Sequence, residues 1–124
     1  MWAYVTIAIG GVLGCWARYT MTNSVQGLLG RAFPYATLSI NIVACLLIGF
    51  LFTAMVERFA VAPAIRLGIL TGFIGGFSTF STFAMETFLL AEQGAWGRSA
   101  LYVVLSLLLG LLATFVGVFA ARAI

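Results

Sequence analysis

Four stretches of the sequence are each long and apolar enough to cross a lipid bilayer. A helix needs about 20 mostly apolar residues to span the ~30 Å hydrocarbon core. Because 64% of the 124 residues are apolar and 7% are charged, a soluble domain of this size could not bury its apolar surface. The sequence therefore predicts an all-α integral membrane protein, a single domain over residues 1–124 with four transmembrane helices. These run from about Trp2 to Thr22, Ala36 to Val56, Ala64 to Leu90 and Ser99 to Ala121.

The few polar residue types exclude several classes of function. The sequence has no histidine, and Cys15 and Cys45 both lie inside apolar stretches, so we expect neither a disulfide framework nor a cluster of metal-binding side chains. Six arginines without a lysine are too few for a nucleic-acid surface. Met1–Tyr4 contains no basic residue, so we expect the first stretch to be a membrane span and not a cleaved signal peptide.

The arginines give no preferred orientation in the membrane. With four spans, both termini and the middle connection share one side, and basic residues normally accumulate on the cytoplasmic side. They divide evenly: Arg58, Arg66 and Arg122 on that side, and Arg18, Arg31 and Arg98 on the other. Either the chain inserts in both orientations and pairs antiparallel, or weaker signals set one orientation. Since four short helices enclose no aqueous path, transport would require an oligomer.

The run from Gly75 to Phe83, G-G-F-S-T-F-S-T-F, is unusual for a membrane helix. Adjacent glycines disfavour a helix, so we expect the third span to break near residues 75–79. A break frees carbonyl groups that could bind a small cation. Phe80 and Phe83 then lie one turn apart, with the hydroxyls of Ser81 and Thr82 between them. Positive ring edges and hydroxyl donors suit a small anion, whereas ordinary packing would explain the two rings but not the interleaved hydroxyls.

Other polar residues within the spans extend this pattern. Asn41 lies inside the second span, where an amide needs either a neighbouring helix or a permeating solute as its partner. Arg18 could reach the interface or an ion path, and Glu86 could lie in an aqueous vestibule or near the interface. One face of the fourth span carries residues four apart, which form a polar track or a close-packed seam: Tyr102, Ser106, Gly110 and Thr114.

These motifs together resemble the small bacterial fluoride channels of the Fluc/CrcB family over essentially the whole chain. The first motif is G-G-x-x-G-x-x-x-R-Y from Gly10 to Tyr19, and the second is T-L-x-x-N from Thr37 to Asn41. The third, G-x-x-G-G-F-S-T-F-S-T-F from Gly72 to Phe83, is the most specific and is followed by Glu86.

The resemblance implies an antiparallel, dual-topology homodimer with two fluoride pores at the interface between the copies. It implies a broken third helix and a structural sodium ion (Na+) at the dimer centre, bound by the backbone carbonyls of Gly75 and Ser78. It further implies passive, non-enzymatic export of fluoride through the bacterial inner membrane, which protects the cell from fluoride toxicity. The expected partners are a second copy, fluoride and membrane lipid. The expected pore residues are Asn41, Phe80, Ser81, Thr82, Phe83, Tyr102, Ser106 and Thr114, with Arg18 and Glu86 as vestibule or structural charges.

Two departures and two alternatives accompany this interpretation. Ala84 stands where a serine is common in the family, and Gly110 interrupts the stripe on the fourth span. A small multidrug exporter would share the length, the four spans and dual topology, but it needs a carboxylate in the first span, which has none. A non-conducting membrane adaptor would explain the apolar composition but not Asn41 together with the Phe80–Phe83 run.

Overall fold

The computed structural model describes residues 1–124 and consists of helices joined by short connections, without a β-strand. Helix α2 is prolonged by a π-helical turn, Ala54–Arg58, and a second π-helical segment, Gly68–Ile74, joins α3 to α4. We call the continuous stretch 63–77 the upstream half-helix. The α-helices are α1 (Trp2–Leu29), α2 (Tyr35–Thr53), α3 (Pro63–Leu67), α4 (Gly75–Phe77), α5 (Phe80–Glu92) and α6 (Trp96–Ala123).

Three helical segments have the length and apolar composition needed to cross a membrane: Tyr35–Arg58, Pro63–Glu92 and Trp96–Ala123. This confirms the all-helical class and indicates a multi-pass membrane protein. Helix α1 has 28 residues but is not among the three. Arg18 and the polar residues after it lower its mean hydropathy, so a crossing by α1 stays a prediction.

Helix α1 also continues past the predicted end of the first span. The sequence predicted a connection from Asn23, whereas the structure is helical to Leu29 and ends at Gly30, which has a φ of 77°. No proline interrupts this stretch, and Ser24 Oγ donates to Thr20 O at 2.9 Å, one turn back. Polar side chains that bond to their own helix in this way are compatible with a helix that leaves the apolar region.

The interruption of the third helical segment lies at Ser78 and Thr79, not at the two glycines. Gly75 is helical, with φ −63° and ψ −37°, whereas Ser78 has φ −76° and ψ 160° and Thr79 has φ −153° and ψ 114°. The break therefore lies at the end of the predicted stretch 75–79, and the two glycines themselves are helical. Gly76 instead allows close packing, since a Cβ there would lie 2.7 Å from Gly11 O. Thr79 is the N-cap residue of α5, and its Oγ1 accepts from the Thr82 N–H at 3.2 Å.

Two helix pairs form the packing of the chain. Helix α1 packs on the upstream half-helix through facing glycines, and a Cβ on Gly10 would collide with Gly68 O. Helix α2 packs on α6 in the same way, because a Cβ on Gly49 would collide with Thr114 O. Close backbone approach through small residues is typical of membrane helices. The two buried clusters, on either side of the break, consist of Leu38, Phe83, Leu90 and Tyr102, and of Ile40, Ala44, Ile74 and Phe77.

Candidate functional site at the helix break

The amide of Asn41 is bonded to the backbone of the break. Asn41 Oδ1 accepts from the Thr79 N–H at 2.9 Å, and Asn41 Nδ2 donates to Thr79 O at 3.0 Å. The sequence offered two partners for this amide, a neighbouring helix or a permeating solute, and the structure shows the first. Since an amide nitrogen carries two hydrogens, one N–H remains for another acceptor.

A cavity of about 230 Å³ lies beside the break between α2, α5 and α6. It brings together four of the predicted pore residues, which are far apart in the sequence. Most of its wall is apolar, so the few polar atoms that line it decide what it can bind. The lining residues are Asn41, Cys45, Ser78, Thr79, Phe80, Phe83, Ser106 and Leu107.

The two phenylalanines of this cavity differ in their surroundings. Phe80 is 76% exposed in the subunit, although it lies in the middle of a membrane-spanning segment, whereas Phe83 is 9% exposed. Their ring centroids are 5.5 Å apart with the planes tilted by 48°. Phe83 also packs edge-to-face on Tyr102, with centroids 5.1 Å apart. The cavity therefore has one wall that is fixed in the core and one that is open at the surface of the subunit.

Two hydroxyl groups on α6 lie near this wall without hydrogen-bond partners. Tyr102 is fully buried, and neither its hydroxyl nor Ser106 Oγ makes a hydrogen bond. Buried hydroxyls without a partner are uncommon because desolvation is then uncompensated. Ser106 Oγ, which belongs to a residue that lines the cavity, is thus an available donor. Thr114 does not belong to this group, since its hydroxyl donates to Gly110 O at 3.1 Å and the residue does not line the cavity.

A second cavity, of about 440 Å³, lies on the other side of the break among α1, α2 and α5. Arg18 and Glu86 both line it, and Glu86 accepts a hydrogen bond from Thr37 Oγ1 at 2.5 Å. Thr82 lines it as well, whereas Ser81 is exposed and lines neither cavity. Thr79 lines both, so the break separates a mainly apolar cavity from one with charged groups.

Arg18 is turned toward the break. Its Nη1 donates to Ser78 O at 3.4 Å, so the side chain reaches a backbone carbonyl of the break. Arg18 makes no ion pair with Glu86. The ion pair of the structure joins Glu57, in the π-helical turn after α2, to Arg122 near the end of α6 at 2.8 Å, and it is exposed.

The carbonyls predicted to bind a cation have different surroundings. In a continuous helix Gly75 O would accept from the Thr79 N–H, but that group donates to Asn41, and Gly75 is an exposed residue. Gly75 O therefore fits a cation ligand. Ser78 O fits one less simply, because it also faces the Arg18 guanidinium.

Two residues of the site were missed by sequence reasoning. Thr79 directly precedes a helix start, where threonine is a recognisable N-cap residue, but its interior position in an apolar span concealed this role. Thr37, the partner of Glu86, was noted only as part of a motif, because nothing in the sequence shows which side chain meets a residue 49 positions away.

The chain matches the family described as "CrcB-like protein, Camphor Resistance (CrcB)" over residues 5–118. A protein from Acidithiobacillus ferrooxidans named "Fluoride-specific ion channel FluC" is 50% identical over 111 residues, which cover 90% of this chain and 89% of that protein. A protein of the same name from Geobacter sulfurreducens is 43% identical over 122 residues, 98% of each chain. Another, from Magnetococcus marinus, is 41% identical over 118 residues, 95% of this chain and 96% of its own.

Proposed function

The chain belongs to the CrcB family, and from that premise we propose that it is a fluoride-specific ion channel, a non-enzymatic protein that lets fluoride leave the cytoplasm down its gradient. The observation that carries the proposal is the cavity beside the break, which combines Asn41, Phe80, Phe83 and Ser106. We further propose that the protein resides in the bacterial inner membrane and protects the cell from fluoride.

The chemistry of the cavity supports a small anion as its occupant. Phenylalanine edges carry partial positive charge and do not bind water strongly, so they can contact an anion that has shed part of its hydration shell. The remaining N–H of Asn41 and the unpartnered hydroxyl of Ser106 add two hydrogen-bond donors. A carboxylate would repel an anion, and none lines this cavity.

We propose that the functional unit is an antiparallel dimer with two pores. The exposure of Phe80 in the middle of a span supports this, because its ring would complete a pore wall if a second copy covered it. The even distribution of arginines supports insertion in both orientations. Nothing favours the alternative of a multidrug exporter, since α1 contains no acidic residue.

We also propose that a sodium ion lies between the two breaks, held by the carbonyls of Gly75 and Ser78 from each copy. The loss of the helical donor to Gly75 O supports the first ligand. A bound cation would supply positive potential close to the anion path without entering it. The guanidinium of Arg18 contributes charge of the same sign beside Ser78 O.

Fluoride efflux from liposomes tests the proposed function directly. Vesicles that contain the purified protein and a high internal fluoride concentration should release fluoride much faster than protein-free vesicles, as measured with a fluoride electrode. Chloride-loaded vesicles of the same composition are the control for selectivity. If a folded protein releases no more fluoride than empty vesicles, or releases chloride equally fast, the protein is not a fluoride-specific channel.

A further inference from the structure

We propose that Asn41 is a positioning residue that clamps the helix break, so that each subunit builds its own break without help from a bound ion or a second copy. The effect of this clamp on ion flux rests on the proposed function. The effect on the backbone at Ser78 and Thr79 does not, since it follows from contacts within one subunit.

The contact between Asn41 and Thr79 has the form of one rung of a β-ladder. Thr79 is extended, and both of its main-chain polar groups bond to the same amide, the N–H to Oδ1 at 2.9 Å and the carbonyl to Nδ2 at 3.0 Å. Thr79 is 8% exposed. Backbone groups without partners are costly inside a membrane, so the amide removes the main penalty of an extended residue in this position.

The other polar groups of the break also find partners in the same subunit. The Ser78 N–H and the Ser78 hydroxyl both donate to Ile74 O at 2.9 Å, and Ser78 O faces Arg18 Nη1 at 3.4 Å. The Thr79 hydroxyl is 2.9 Å from Thr82 Oγ1. Every main-chain donor and acceptor of Ser78 and Thr79 is thereby satisfied without an ion.

The clamp also fixes which part of Asn41 is left for an anion. The Thr79 N–H is a donor, so it must face Oδ1, and the amide cannot rotate by 180° without placing two donors and two acceptors against each other. The second N–H of Nδ2 consequently keeps one orientation, in a residue that lines the cavity with Phe80 and Phe83. A donor held in place in this way costs no reorganisation when an anion arrives.

Hydrogen–deuterium exchange of the full-length protein, followed by mass spectrometry of peptides that cover residues 77–82, tests the clamp. Asn41→Ala removes both bonds, so the Thr79 amide should exchange at least about tenfold faster. Asn41→Asp has the same size and keeps an acceptor for the Thr79 N–H, but it sets a second acceptor against Thr79 O, so this amide should exchange faster than in the wild type and more slowly than in Asn41→Ala. Fluoride flux should fall in both variants, because the first loses the donor and the second places a negative charge in the anion path.

Ser106→Ala is the matched control, since Ser106 lines the same cavity and bonds to no atom of the break. Its flux should fall while exchange at residues 78–80 stays unchanged. Replacing sodium with N-methylglucamine should leave exchange of the wild type unchanged as well. If Asn41→Ala does not fold, Asn41→Leu, which is apolar and of similar size, takes its place in the exchange measurement.

Two results would overturn the clamp. The first is unchanged exchange in Asn41→Ala or Asn41→Leu together with reduced flux, which would mean that Asn41 acts only on the ion. The second is a loss of protection in the wild type when sodium is removed, which would mean that the ion holds the break. A wild type that conducts no fluoride would refute the proposed function, but the exchange measurements would still decide whether Asn41 holds the break.

Discussion

Phe80 and Phe83 belong to one motif, but their burial predicts different consequences of the same substitution. Phe83→Ile removes an aromatic pair with Tyr102 and leaves space in a buried cluster, so the free energy of unfolding should fall by about 1–3 kcal/mol. Phe80 is exposed in the subunit, and Phe80→Ile should change subunit stability by about 0.5 kcal/mol or less. Denaturant titration of the purified variants measures both. Efflux from liposomes should decrease for both variants, because each loses a ring edge from the cavity.

Equal destabilisation by the two substitutions would contradict this assignment of surroundings. Poor conduction by Phe80→Ile could also result from loss of the dimer, which size-exclusion chromatography of the variant would detect. If Phe80→Ile conducts poorly only because the two copies separate, the ring acts in packing between copies and not in contact with the ion.

Gly110 interrupts the hydroxyl stripe on α6, and a side chain there would have to displace one neighbouring side-chain atom by only a few tenths of an ångström. A Cβ at this position would meet only Cys45 Sγ, at 3.3 Å. Gly110→Ser should therefore fold with a thermal midpoint within a few degrees of the wild type. The added hydroxyl, one turn from Ser106, should increase fluoride flux, because it offers the dehydrated anion another donor.

Gly117→Ser is the matched control for Gly110→Ser. Gly117 lies on the same helix, but a Cβ there would collide with Leu46 O of α2, so this variant should lose about 1–3 kcal/mol of stability. A decrease in flux by Gly110→Ser at unchanged stability would show that the gap in the stripe itself favours permeation.

Polarity within an apolar span identified Asn41 and Ser106 from the sequence, and interleaved hydroxyl residues identified Phe80 and Phe83. The structure brings these four residues to one cavity. Their partners could not be identified in this way. Asn41 and Thr79 are 38 positions apart and meet because of how two helices pack, which no local pattern records. The same holds for the glycines. The adjacent Gly75 and Gly76 suggested a break, whereas the use of glycines in close helix contacts depends on what each one faces.

Helix α1 carries glycines with opposite structural roles, which gives a prediction for the attachment of the whole helix. A Cβ at Gly10 would collide with Gly68 O of the upstream half-helix, so Gly10→Ala should push α1 away and lower the free energy of unfolding by about 1–3 kcal/mol. Gly27 has no atom within 4 Å of such a Cβ. Gly27→Ala should raise stability by about 0.5–1 kcal/mol, because alanine favours a helix.

Thermal unfolding of the two alanine variants compares these effects on one helix. A similar loss for both would mean that α1 is held by its own helical structure more than by contact with the upstream half-helix. The contrast also bears on the break, since the same close packing of α1 brings Arg18 to Ser78 O.

The helices themselves were largely predictable, because runs of apolar residues between charged or proline-containing connections define them. The C-terminal end of α1 and the exact position of the break within residues 75–79 were not. Asn23 and Ser24 are common in loops, yet their helix continues because no residue before Gly30 prevents it. The break lies at Ser78 and Thr79 because Asn41 supplies the bonds that the helix gives up there, and a helix-breaking residue is not required.

The even distribution of arginines predicts how the entire protein responds to added charge. Three lysines after Ile124 would favour the orientation that keeps the termini in the cytoplasm. If a pore needs two antiparallel copies, a chain inserted in one orientation should lose most of its fluoride flux, by about tenfold or more when the bias follows the positive-inside rule. Reporter fusions at the C-terminus would measure the orientation in cells, and fluoride efflux would measure the function.

A chain with the opposite bias provides both the control and the decisive comparison. This chain carries three lysines between Gln93 and Ala95, in the connection on the other side of the membrane. Expressed alone, it should conduct as little fluoride as the first variant. The two biased chains differ in nothing that touches the break or its cavities, so their coexpression should restore flux by supplying both orientations. Wild-type flux from one chain that inserts in a single orientation would show that antiparallel pairing is unnecessary. Failure of the coexpressed pair to conduct, with both chains folded, would show that added charge impairs the channel by another route.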